Sequence, residues 1–157
     1  IASGWMLCLL WHLTVLGITI FPAVFIIVGI WYGRRDMGIT IVTNDEEGMI
    51  EVTYSPDPVR DADLREQRKL VAEAMQKSGI SRVLLDASSL SKFPSILTSL
   101  EHNRSVAADK QLQKAKFAVL CSSIGEDERS LEITGRNRGV VIKCVTSRED
   151  ALAWLKG

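Results

Sequence analysis

The sequence is poor in the residues that build metal sites and covalent catalytic sites. Only three of its 157 residues are cysteine and two are histidine. Cys8, Cys121 and Cys144 form no CxxC pair, so their spacing fits neither a zinc site nor a haem attachment site. There is also no GxGxxG, GxxxxGK[ST] or HExxH motif. We therefore predict no cofactor and no metal ion, and we expect the two later cysteines to be small core residues.

Net charge is absent as well, because nineteen basic residues balance nineteen acidic ones. A protein that binds nucleic acid usually carries a basic groove or stripe, and none is suggested here. All the charged residues lie at or after Arg34, where both signs are mixed along the chain. This pattern is typical of a solvated surface and defines no charged partner.

The first part of the chain is an apolar segment without Asp, Glu, Lys or Arg, and His12 is its one histidine. Residues 6–32 are rich in Leu, Ile, Val and Phe, and a membrane-spanning helix needs about 20 such residues. Arg34 and Arg35 follow directly, and positive residues stay on the cytoplasmic side of a membrane. We predict a single-pass membrane anchor over 6–32 within a first region, 1–36, and a cytoplasmic domain over 37–157.

Met37 provides an alternative to this membrane topology. It stands where the apolar character ends, and the native product could begin there. The protein would then be a soluble cytoplasmic domain without an anchor.

The pattern of residues 37–157 predicts an α/β domain with an N-terminal β-hairpin, followed by alternating helices and strands. Such an order calls for a mainly parallel sheet covered by helices. The short apolar run Val83-Leu84-Leu85 is typical of a central strand that is buried on both faces. The predicted elements are a hairpin over 39–54, helices over 61–78, 94–112 and from 126, strands over 80–86, 117–121 and 140–145, and a last helix over 148–155.

Polar side chains follow the ends of three predicted parallel strands. In open α/β sheets, ligands bind outside the carboxyl ends of the strands. The alternative is that the serines only cap helices and that the aspartate accepts hydrogen bonds from the loop backbone. The candidate ligand- or partner-binding residues here are Asp86, Ser88, Ser89, Ser122 and Ser123, with Thr146 and Ser147 after the last strand.

Cys121 and Asp86, at the ends of two predicted strands, are the residues that suggest enzymatic roles. Cys121 could act as a thiol nucleophile, but it lacks a base, because His102 is predicted to lie in the middle of a helix as a surface or packing residue. Asp86 could accept a phosphoryl group, but no acidic pair precedes it to hold a metal ion. We predict that the protein is not an enzyme.

Two stretches of residues 37–157 carry a resemblance to a known family. The strand RVLLD at 82–86, which precedes a serine-bearing loop, and the ending SREDALAWL at 147–155 are similar to the SpoIIAA-like branch of the STAS superfamily. The resemblance covers nearly all of residues 37–157 and leaves out the apolar segment. It implies a regulatory or scaffolding module that docks on protein partners, and in some relatives one that binds nucleotides or lipidic ligands. It does not imply catalysis.

The resemblance also suggests one phosphorylation site. In anti-sigma-factor antagonists, a serine of an Asp-Ser-Ser-Gly motif at a helix start is phosphorylated, and this breaks the partner interface. The matching stretch here is FPSIL at 93–97, in which Ser95 is retained while Pro94 replaces the acid and the glycine is missing. Ser95 is carried over as the candidate phosphorylation site and partner contact.

From these observations we expect a non-catalytic module that docks on a protein partner at the cytoplasmic face of the membrane, with residues 86–95 and the helix after them as the contact surface. The first alternative is a carrier or sensor of a lipid or another small ligand, which requires a pocket between the helices and the sheet. A small thiol enzyme is the third interpretation.

Overall fold

The computed structural model describes residues 38–157 of the chain. The predicted membrane anchor over 6–32 lies outside this range. Among the residues described, no helix combines the length and the apolar character that crossing a bilayer requires.

Five strands and four α-helices follow one another along residues 38–157. Their order is the predicted β-β-α-β-α-β-α-β-α, and the strand ends differ from the predicted ones by one or two residues. The elements are β1 (Ile39–Asn44), β2 (Met49–Tyr54), α1 (Asp61–Ser78), β3 (Arg82–Asp86), α2 (Ile96–Ala108), β4 (Lys116–Leu120), α3 (Glu126–Arg136), β5 (Val141–Val145) and α4 (Arg148–Lys156).

The strands form one sheet in the order β1-β2-β3-β4-β5. β1 is antiparallel to β2, as expected for a hairpin, and the other three neighbouring pairs are parallel. The α/β class and the mainly parallel sheet are therefore confirmed. So is the central position of β3, which has two strands on either side.

The sheet separates two apolar cores, because successive side chains of a strand point to opposite faces. Val83 and Leu85 belong to the larger core, which also contains buried residues of α1, α2 and α3. Leu84 belongs to the smaller core, together with Ala151 and Leu155 of α4. This arrangement explains why β3 is apolar at three successive positions.

Two helix ends agree with the sequence prediction. Gly79 ends α1 with a φ of 73°, a left-handed conformation that suits glycine, and its N–H donates to the carbonyl of Met75. At the start of α4, the hydroxyl of Ser147 accepts a hydrogen bond from the N–H of Asp150 at 3.1 Å.

The prediction for α2 was wrong at both ends. Ser95 is the N-cap and accepts from the N–H of Thr98, so Pro94 precedes the helix and does not form its first turn. The helix ends at Ala108. The carboxylate of Asp109 accepts hydrogen bonds from the N–H groups of Gln111 and Leu112, and a separate 3-10 turn follows at Leu112–Lys114.

The predicted capping of α3 by Ser122 or Ser123 was also wrong. The helix begins at Glu126, and Gly125 is its N-cap. The N–H of Gly125 donates to Oε2 of Glu128 at 2.9 Å. The carboxylate of Glu128 thus pairs with the N–H of Gly125, an N-cap residue that has no side chain.

Candidate functional site

The predicted polar residues lie along one edge of the sheet. Asp86 at the end of β3 pairs in register with Leu120 of β4, which pairs in turn with Val145 of β5. The loops that leave these three strands therefore begin side by side, as the sequence predicted.

The first loop, residues 87–92 after β3, is held in its conformation by polar groups. Oδ1 of Asp86 accepts from the N–H and the hydroxyl of Ser88, at 3.1 and 2.6 Å. The hydroxyl of Ser89 donates to the carbonyl of Tyr54 at the end of β2, at 2.7 Å. Asp86 therefore accepts a hydrogen bond from the loop backbone, which is the alternative role predicted for it.

The second loop differs, since Ser122 and Ser123 are exposed and lie before the cap of α3. Their hydroxyl groups are accessible to solvent at the sheet edge. They mark a polar surface next to the first loop.

A short apolar surface follows the first loop at the start of α2. We call residues 93–97 the 93–97 patch. Ser95 is exposed within it, while Ile96 is 41 % exposed and Leu97 is 77 % exposed. Phe93 and Pro94 are partly buried. The patch thus presents two large apolar side chains beside the hydroxyl that the family resemblance selected.

Beneath this patch lies a cleft between α1, α2, the first loop and the sheet. Its volume is about 40 Å³, counted as the space open to the centre of a water-sized sphere. Ten of its thirteen lining residues are apolar, and the three polar ones are Tyr54, Ser99 and His102. The apolar ones are Val59, Leu64, Leu85, Ala87, Leu90, Phe93, Pro94, Val119, Leu131 and Ile142.

Two of the polar groups in the cleft are bonded within the protein. The hydroxyl of Tyr54 donates to Oε1 of Gln67 at 2.7 Å, and burial raises the pKa of this phenol although the Gln67 bond opposes the rise. The hydroxyl of Ser99, a residue only 2 % exposed, is 3.5 Å from the carbonyl of Pro94. Both hydroxyl groups are neutral, and each has a hydrogen-bond acceptor within the protein.

His102 is the third polar group, and Arg68 of α1 holds its ring. Nη1 of Arg68 is 2.9 Å from Nδ1 of His102. Burial and, to a smaller extent, the charge of Arg68 lower the pKa of His102 to about 4. The imidazole is therefore neutral near pH 7.

His102 lies in the middle of α2 and packs against Arg68, as predicted for a surface or packing residue, but its place in the lining of the cleft was not predicted. Ser99 and His102 are three positions apart, so they lie on the same side of a helix, and this spacing was the available signal. The sequence could not show that α1 brings Arg68 against the ring.

The two thiols of the described chain are buried. The Cys121 thiol is 3.7 Å from the carbonyl of Val119, and the Cys144 thiol is 3.4 Å from that of Glu128. The contact with Cys121 and burial both raise the pKa of Cys144. The thiol-enzyme interpretation named Cys121, and this residue is buried with its thiol against a backbone carbonyl.

Within residues 38–157, no group of three or more His, Cys, Asp and Glu side chains is placed to hold a metal ion. No protein-family model and no curated protein matches the chain.

Proposed function

We propose that the chain is a STAS-like regulatory or scaffolding module that docks on a protein partner, with the 93–97 patch as the centre of the contact surface. The domain would act at the cytoplasmic face of a membrane, held there by the apolar segment over 6–32. The observation that carries the proposal is the exposure of Ile96 and Leu97, the first two residues of α2 after its N-cap Ser95.

An apolar side chain at the centre of an interface contributes most when the partner excludes water from it. Leu97 is the most exposed of the large apolar residues in the described chain, and Ile96 adjoins it. The first loop, which precedes the patch in the chain, carries the exposed Ser88 and Ser89, and Ser95 is exposed within the patch. This arrangement of an apolar centre and a polar rim is typical of protein interfaces.

Site-specific photo-crosslinking in cells tests the proposal. A photoreactive amino acid replaces Leu97 in the full chain, and in a matched variant it replaces Ile133, which is 57 % exposed on α3 outside the patch. We expect a discrete protein adduct from position 97, and we expect Ser95→Asp in the same chain to reduce its yield. Equal adduct patterns from both positions would contradict docking at the patch.

The second candidate function is that of a small-ligand sensor or carrier, and the cleft favours it. This interpretation requires an opening between the helices and the sheet, and such an opening is present beneath the 93–97 patch. Phe93 and Pro94 belong both to the patch and to the lining of the cleft. A ligand in the cleft could therefore change the surface that meets the partner.

A further inference from the structure

We propose that the cleft binds an uncharged molecule about the size of one six-membered ring, whose oxygen accepts a hydrogen bond from Nε2–H of His102. This inference rests on the second candidate function and adds the chemical class of the ligand. Its apolar body would contact the side chains of Leu85, Val119 and Leu131, which line the cleft.

The size of the ligand follows from the volume of the cleft. The space open to the centre of a water molecule is about 40 Å³, which corresponds to a sphere of about 2 Å radius. The radius of the water molecule adds about 1.4 Å. The resulting radius of about 3.5 Å accommodates about six or seven non-hydrogen atoms. A long acyl chain would not fit within this space.

The donor follows from the contact between His102 and Arg68. An arginine guanidinium is always protonated and can only donate, so Nδ1 of His102 must accept at 2.9 Å. The proton of the neutral ring is then on Nε2, and this tautomer is assigned from the hydrogen bond. Arg68 lies in the outer groove between α1 and α2, whereas His102 lines both that groove and the cleft.

The ligand should be uncharged, because none of the described residues that line the cleft is Asp, Glu, Lys or Arg. A carboxylate or an ammonium group would lose its hydration there without gaining an ionic partner. A carbonyl oxygen costs less to bury, and the Nε2–H group of His102 can satisfy it. The low pKa of His102 agrees with a neutral donor.

Methyl NMR of the full chain in deuterated-lipid nanodiscs tests this site. The probes are cyclohexanone, methylcyclohexane and cyclobutanecarboxylate, which have equal numbers of non-hydrogen atoms. We expect cyclohexanone to shift the methyl signals of Leu85, Val119 and Leu131 with a Kd in the millimolar range, as expected for so small a ligand. The hydrocarbon and the carboxylate should bind at least about fivefold more weakly.

Substitution of the donor provides the second arm. His102→Leu should weaken cyclohexanone about five- to twentyfold and leave methylcyclohexane unchanged, whereas His102→Gln, which keeps an N–H donor, should retain part of the preference. Absence of a saturable shift, equal binding of cyclohexanone and methylcyclohexane, or unchanged affinity in a folded His102→Leu chain would overturn the proposal. If His102→Leu does not give a folded spectrum, the comparison of the three probes on the unsubstituted chain decides.

The ligand site and the sensor function can fail separately. Cyclohexanone is added during crosslinking from position 97 at a concentration that saturates the methyl shifts. An adduct yield that changes with cyclohexanone supports a sensor. An unchanged yield with saturated shifts removes the sensor function and leaves the ligand site in place.

Discussion

The neutral His102 makes the stability of the domain depend on pH. Its pKa is about 4 in the folded chain, against 6.5 for the free side chain. Between these values the unfolded chain binds a proton that the folded chain does not, so the free energy of unfolding falls as the pH drops from 6.5 towards 4. Between pH 7 and pH 4.5, we expect the free energy of unfolding to fall by about 1–3 kcal/mol less in His102→Gln than in the unsubstituted chain. Urea unfolding at the two pH values measures this difference. Parallel losses in both proteins would show that the histidine is not the titrating group.

Ser95 allows the partner interface to be separated from helix stability. A negative charge at the N-cap of α2 is favourable for the helix, because the N-terminal N–H groups and the helix dipole attract it. Ser95→Asp should therefore leave the thermal unfolding midpoint within a few degrees of the original and still reduce the adduct yield from position 97. Ser95→Ala provides the control, since it removes the cap and adds no charge. A normal adduct yield with Asp would exclude Ser95 from the interface.

At the scale of elements, the sequence was sufficient where a local pattern decides the structure. The hairpin, the amphipathic α1 that ends before Gly79 and the capping of α4 by Ser147 each depend on residues close in the chain. The start of α3 agrees with the helix predicted from 126. Its N-cap was not predicted, because Gly125 has no side chain and its N–H donates to Glu128 inside the helix.

The two serine assignments lead to a test of helix capping. Ser147 accepts from the N–H of Asp150, so Ser147→Ala should lower the free energy of unfolding by about 1 kcal/mol. Ser122 lies ahead of the Gly125 cap, and Ser122→Ala should change it by less than about 0.5 kcal/mol. Urea unfolding of the two variants under the same conditions checks the difference. Equal losses would place the start of α3 at Ser122 instead.

The cleft forms only when distant parts of the chain fold together, so the sequence did not predict it. Tyr54 at the end of β2, Leu90 in the first loop, His102 on α2 and Leu131 on α3 meet only after the sheet has formed. Each of these residues is also compatible with an ordinary core or surface position when its neighbours are unknown. The 93–97 patch, in contrast, is continuous in the sequence, and its role as a partner surface stays a prediction.

The direction of β1 determines where the N-terminal segment joins the domain. Ile39 pairs with Tyr54, the last residue of β2, and the N–H of Ser55 donates to the carbonyl of Gly38. Residue 38 therefore lies at the same edge of the sheet as the ends of the parallel strands. An anchor over 6–32 would hold this edge, with the 93–97 patch, towards the membrane, so the proposed partner would be found at or in the membrane.

Membrane fractionation of the full chain tests this arrangement. The full chain should stay in the pellet after alkaline carbonate extraction, because about 20 apolar residues are enough to span a bilayer. A chain that begins at Met37 should be released, and so should part of the Ile20→Arg chain, since an arginine at the centre of the segment costs about 3 kcal/mol on insertion scales. Release of the unsubstituted chain would contradict the anchor. If the 97 adduct still formed in that released fraction, docking would stand without the membrane.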